Sequence, residues 1–196
     1  MKNIIITFAI LLFSYSCKAQ ELLDPQSTIL PLQEMHKYVG GDIGGIPRHI
    51  TYVKDVDNLL DKFTGTWQGV HNNREFIFQI EKATVKPLRV QEDILVMRYE
   101  IKENNTVLEN TMDIADIDNF LVIKGYYLSE QGSYALTYVG REGNCGQMGT
   151  IFIDRNGDDL ELFLIPKRGI VDEEYCPSFT YQEIIFREQK IVLTRQ

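Results

Sequence analysis

From Thr66 to the C-terminus the apolar residues keep a period of two, and no other feature limits the fold so tightly. Side chains of a strand alternate between faces, so such a run reads as strands with one face inward. Ten segments emerge: 66–71, 74–82, 93–102, 106–112, 120–127, 134–140, 148–154, 160–166, 180–187 and 190–195. Turn chemistry separates them at Asn72-Asn73, Asn104-Asn105, Gln131-Gly132, Asn156-Gly157 and Glu188-Gln189. Phe76/Phe78/Ile80, Leu95/Met97/Tyr99/Ile101, Tyr134/Leu136/Tyr138 and Leu160/Leu162/Leu164 form candidate inward faces. No helix-length periodic stretch interrupts the series. A meander this long closes into a barrel or folds into a sandwich, because open edges invite aggregation.

The alternation begins in a mixed stretch, residues 55–70. Val56, Leu59, Leu60 and Phe63 fall at i, i+3, i+4 and i+7, which predicts a short helix with Asp55 as its N-cap. Thr64 and Gly65 end it, and Trp67 follows on the first strand. Upstream, Leu32, Met35, His36 and Val39 repeat the helical spacing between Pro31 and Gly40. Residues 40–45 read as a flexible breaker rather than a phosphate loop, since no GK[ST] follows.

The first twenty residues read as an export signal. Lys2 precedes an apolar run from Ile4 to Phe13, too short to span a bilayer, which takes roughly 18–20 residues. Small Ser14 and Ser16 flank Tyr15 just before Cys17. This arrangement resembles the lipobox of bacterial lipoproteins, although Tyr15 departs from its tighter form. The resemblance implies cleavage before Cys17 and a diacylglycerol on its thiol. The expected organisation is a signal peptide at 1–16, an anchor, tether and packing segment at 17–54, and a barrel domain at 55–196. The expected location is the cell envelope, held at a membrane through Cys17, on the outer membrane facing the periplasm.

Three cysteines are an odd number for an exported chain. With Cys17 lipidated, Cys145 and Cys176 remain as a pair in an oxidising compartment. Closing that loop is worth roughly 3–4 kcal/mol in the chain-entropy model. A metal site is the weaker rival, because neither cysteine sits in a CxxC or beside a histidine.

The formal charge of −8, or −9 once Lys2 is removed, argues against nucleic-acid binding, where a basic face would be expected. His36, His49 and His71 pair with no nucleophile or second ligand in a known motif, and no GxSxG, HExxH or P-loop is present. The chain reads as a non-enzyme without cofactor or metal. Residues 154–159, DRNGDD, have a calcium-loop flavour but lack the closing Glu, and read as a hairpin turn.

The element KFTGTWQG at 62–69 is similar to the start of lipocalin and calycin barrels. In those barrels the Trp closes one end beneath an arginine of the last strands. The resemblance therefore implies structural closure by Gly65 and Trp67, with Arg187 or Arg195 as the arginine. Ten strands rather than eight depart from true lipocalins, and the tight turn at Asn72-Asn73 departs from fatty-acid-binding proteins, which place two helices there. The whole chain also resembles an uncharacterised family of small bacterial lipoproteins with a "LDKFTGTW" element and a late cysteine pair. That likeness implies no known activity.

The fold expectation is an all-β, antiparallel up-and-down barrel of about ten strands with a short helical cap. In such a meander the longer connections, 83–92, 113–119, 141–147 and 167–179, fall at one end, together with both cysteines and the cap. The mouth would then lie at the short turns. The aromatics Phe76, Phe78, Tyr99, Tyr134 and Tyr138 either fill a core or line a cavity for a small apolar or amphipathic ligand. The other functional reading is an envelope structural or protein-interaction module using the loop-rich, disulfide-pinned end.

Overall fold

The computed structural model describes residues 28–38, 45–167, 174, 176 and 183–196. The signal segment, Cys17, the tether up to residue 27 and most of the 40–45 breaker lie outside the described residues. Among the described residues eleven strands follow in order: β1 (Ile29–Pro31), β2 (Tyr52–Lys54), β3 (Gly65–His71), β4 (Arg74–Val85), β5 (Gln91–Glu103), β6 (Thr106–Asn110), β7 (Ile123–Leu128), β8 (Tyr134–Val139), β9 (Met148–Asn156), β10 (Asp159–Pro166) and β11 (Lys190–Arg195).

Eight of them close an antiparallel barrel. The order β5-β4-β3-β11-β10-β9-β8-β7 is completed by pairing of β7 back onto β5. Connections β3–β4 and β5–β6 turn through Asn72-Asn73 and Asn104-Asn105, all four at positive φ. That is the two-residue hairpin geometry in which Asn is tolerated.

The eight-strand count has a specific cause. β5 is long, and its edge away from β4 is shared by three partners. Gln91 and Glu92 pair with β2, Val96 and Met97 with β7, and Glu100–Glu103 with β6. β6 and β7 therefore run in the same direction along one barrel position. Thr111 continues β6 by bonding Tyr99 through both its N–H and its hydroxyl. Residues 112–122 then leave the wall, and β7 resumes the position. Two of the ten expected strands are thus one strand interrupted by an excursion.

The expected strand at 180–187 is also revised. Its first residues lie outside the described set, and 183–187 contribute an isolated parallel bridge, Leu164 to Arg187, rather than a strand.

The interrupted strand changes which connections share an end. The turns at 72–73 and 104–105, the connection 140–147, and residues 167, 176 and 183–189 lie at one end. The connection 86–90, the turns at 129–133 and 157–158, and the start of β3 lie at the other. Cys145 and Cys176 do share an end, joined by a disulfide with Cα atoms 5.2 Å apart. The cap enters at the opposite end, which corrects the expectation that cap and disulfide gather together. Only one of the two surplus strands, the split β6/β7 position, lies between the cap and Cys145, and losing that single reversal puts them at opposite ends.

Both predicted helices are shorter and tighter than expected. The first is a 3₁₀ helix, Leu32–Lys37, burying Leu32 and Met35. The second is a series of turns ending in a 3₁₀ helix, Asp61–Phe63. Asn58 at φ 55° interrupts regular winding, and Val56 faces solvent while Leu60 and Phe63 are fully buried. Asp55 still acts as a cap: its carboxylate accepts from Leu59 N–H (2.7 Å) and Leu60 N–H (3.1 Å). Its own N–H donates to Asp93, which also accepts from the Tyr52 and Thr84 hydroxyls. The Arg89 guanidinium donates to the carbonyls of Ile46, Arg48 and Ile50, fastening the preceding segment to the same end.

Candidate functional site

The barrel interior is filled. Phe76, Phe78, Tyr99, Tyr134 and Tyr138 are at most 2% exposed. Phe76 stacks near Phe78, Phe78 meets Tyr99, Tyr99 meets Tyr138, and Phe63 of the cap meets Tyr134, each at about 6 Å between ring centroids. These spacings are those of packed aromatic pairs. Burial pushes the Tyr99 and Tyr134 phenols well above their ordinary pKa. The void beside Tyr138, Leu164, Ile184 and Ile185 holds about 10 Å³, room for one water. The expected ligand-lining aromatics are therefore core, and among the described residues they line no chamber of ligand size.

Both ends are plugged. At the disulfide end Ile184 and Ile185 are buried, and Phe186 packs edge-on against Phe76 with the Arg74 guanidinium over its ring. The expected mouth at the short turns is covered. At the cap end Trp67 is fully buried and donates its indole N–H to the Phe63 carbonyl at 2.8 Å.

The closure around Trp67 involves two arginines. Arg195 lies over the indole ring at 4.8 Å, bonds the Thr64 carbonyl at 2.7 Å, and runs beside Gly65. Arg155 of β9 lies over the same ring at 4.6 Å. Arg187 is at the other end, with its Nε on Glu183. Arg155 follows Ile151 and Ile153 on the inward face of β9, so strict alternation along 148–156 is the sequence signal that locates it. DRNGDD forms the β9–β10 hairpin; Asp154 accepts from the Ser133 hydroxyl and Asn156 donates to Glu161.

A large concavity lies outside the barrel, over a seam. Past Val96 and Lys124, β5 and β7 stop pairing, and β7 is bulged between Gly125 and Tyr127. Tyr134 fills the seam from within. Its hydroxyl accepts from the Leu95 N–H at 3.3 Å, and its ring passes so close to Gly125 that a Cβ there would sit 2.1 Å from Cε1. Glycine at 125 is thus required by contact rather than by φ. Over the seam lies a groove of about 620 Å³, walled by Val85, Pro87, Ile94, Ile117 and Tyr126, with Glu92, Lys124 and Asp118 at its polar edge.

The excursion 112–122 builds one wall of this groove. It lays Ile114 and Val122 on the outward face of β4 and β5, against Ile94 and Val96. This is why β5 is apolar on both faces. Arg98 holds the excursion in place, donating to the carbonyls of Ile114 (2.6 Å) and Ala115 and pairing with Glu81. Burial raises the Glu92 carboxyl above the usual carboxylate range. Burial also acts upward on neighbouring Asp93, but hydrogen bonds from Tyr52, the Asp55 N–H and Thr84 outweigh it and hold that carboxyl low.

The histidines do not converge. His36 bonds the Gln33 carbonyl and faces Glu130, and His71 bonds Gln189. Among the described residues no cluster of three or more His, Cys, Asp or Glu is placed to hold a metal.

Residues 1–158 match the family described as a family of unknown function, DUF6705, and the chain belongs to that family. No curated protein and no solved structure matches the chain.

Proposed function

We propose that this member of a family of unknown function is a non-enzymatic, lipid-anchored protein of the cell envelope that binds a small apolar or amphipathic molecule on the outside of its barrel. The observation that carries this reading is the seam groove. Its volume of about 620 Å³ falls in the range of ligand pockets, roughly 300–1,000 Å³. Its walls are mainly apolar, with a few polar groups at the edge, the composition that binds an amphipathic molecule in one orientation. The filled, double-plugged interior supports a scaffold role for the barrel. The excursion that interrupts the β6/β7 position gives the scaffold a walled outer face.

Anchoring rests on the Lys2-to-Cys17 arrangement at the N-terminus. Cys17→Ala is expected to release the protein from the membrane fraction; unchanged membrane association would remove the anchor from the proposal.

The groove is tested with diphenylhexatriene, an uncharged fluorescent rod, titrated against the intact protein in detergent-free buffer. One saturable site is expected. Ile117→Trp, which fills the groove, should weaken it at least tenfold, whereas Phe78→Leu in the core should leave it unchanged. Loss of binding in Phe78→Leu with retention in Ile117→Trp would return the ligand to the interior. Absence of saturable binding would sink the reading.

A further inference from the structure

The cap end carries a second concavity, of about 540 Å³, lined by Lys62, Arg155, Arg195, Asp61 and Asp158. It is separate from the seam groove and shares no lining residue with it. In a chain of net charge −8 its balance is unusual: three cations face two carboxylates. One of those carboxylates, Asp61, is taken by Lys82 at 2.5 Å.

None of the three cations has a carboxylate partner among the described residues. Lys62 donates to the Gly132 carbonyl at 3.0 Å and lies over the Phe63 ring. Arg195 donates to the Thr64 carbonyl. Arg155 donates through Nη2 to the Gly157 carbonyl at 2.7 Å. The other prong of that fork, Arg155 Nη1, is buried and donates to nothing among the described residues. A buried, charged donor without an acceptor costs free energy, and native structures rarely keep one without a use.

The two guanidinium groups are held in advance. Each lies on the Trp67 ring within 5 Å of its centroid, and each has one N–H fixed to a backbone carbonyl. Planar forks held so match the paired oxygens of an oxyanion, where Lys supplies a point charge. Preorganisation lowers the entropy cost of binding.

We propose that this concavity binds a phosphate-type oxyanion, a phosphate monoester or diester, between Arg155 and Arg195 with Lys62 beside them. Asp158 at the rim disfavours additional negative charge and sets a preference for a singly or doubly charged group. The same chemistry belongs to free phosphate and to a phospholipid headgroup.

The test titrates the intact protein, in neutral detergent, with inorganic phosphate and separately with dihexanoyl phosphatidylglycerol below its micelle concentration. The readouts are the side-chain N–H resonances of Arg155 and Arg195 and the thermal midpoint, with sodium chloride at matched ionic strength as control. Saturable shifts of both arginines with either probe, absent with chloride, are expected. Arg155→Gln should weaken binding at least tenfold. Should that variant unfold, Arg155→Lys, which keeps the charge and loses the fork, should still weaken it several-fold. Saturation by the lipid alone assigns a headgroup site, and by inorganic phosphate alone a soluble one. Shifts equal to those with chloride, shifts confined to other residues, or undiminished affinity in the variants would overturn the proposal.

Discussion

Gly125→Ala is the perturbation whose outcome the structure fixes most narrowly. The added methyl would lie 2.1, 2.5 and 2.6 Å from Tyr134 Cε1, Oη and Cζ. Carbon atoms pack at about 3.5–4.0 Å, so the ring must retreat by about 1.5 Å. Retreat is opposed on two sides: Phe63 sits 6.1 Å away, ring to ring, and the hydroxyl is tied to the Leu95 N–H. Overpacking a filled core costs about 1–3 kcal/mol, and this contact belongs at the upper end, about 3 kcal/mol. Without the clash, Ala for Gly would stabilise by about 0.4–1 kcal/mol through the unfolded chain. A double-mutant cycle separates the two effects. Tyr134→Leu removes all three clashing atoms, so Gly125→Ala in that background should be neutral or slightly stabilising. The assay is urea unfolding followed by Trp67 fluorescence. An equal loss from Gly125→Ala in both backgrounds would refute the reasoning, because the cost would then not arise from Tyr134.

Three further outcomes are expected. Replacing Cys145 and Cys176 together by Ser opens a link across 31 positions; it should cost about 3–4 kcal/mol and lower the melting midpoint by about 10 °C, whereas wild type with reductant should match the variant. Trp67→Ala should cost about 3–5 kcal/mol in chemical denaturation; a loss below about 1 kcal/mol would mean that the indole is not what closes the cap end. Asp93 has a lowered carboxyl pKa in the folded state, so its stabilisation is present above the unfolded value of about 3.9 and is lost as pH falls through the folded value. Asp93→Asn should therefore lower stability near pH 7 by about 1–2 kcal/mol, with the gap to wild type closing below about pH 3; a gap independent of pH would show that the charge is not involved.

Much of the barrel is legible because strand alternation and turn chemistry are local. Phe76, Phe78 and Ile80 point inward because each is two residues from the next, and Asn104-Asn105 turns the chain because Asn accepts positive φ. The cysteine pair follows from counting. Trp67 with Arg195 is visible through the Gly-x-Trp element. Arg155 is hidden because DRNGDD reads as a turn, although the residue continues the inward series of Ile151 and Ile153.

The charge balance, the inward faces and most strand limits were determined by the sequence itself, since each depends on composition or on neighbours a few residues apart. Tertiary structure decided what depends on distant partners. The pairing of β5 with β2, β6 and β7 at once, the merging of two strands into one barrel position, and hence which loops share an end, rest on edges some tens of residues apart. So does whether inward aromatics enclose space or fill it. Alternation says that Phe78, Tyr99 and Tyr138 point inward; only closure at eight strands brings their rings within about 6 Å of one another and leaves no room between them.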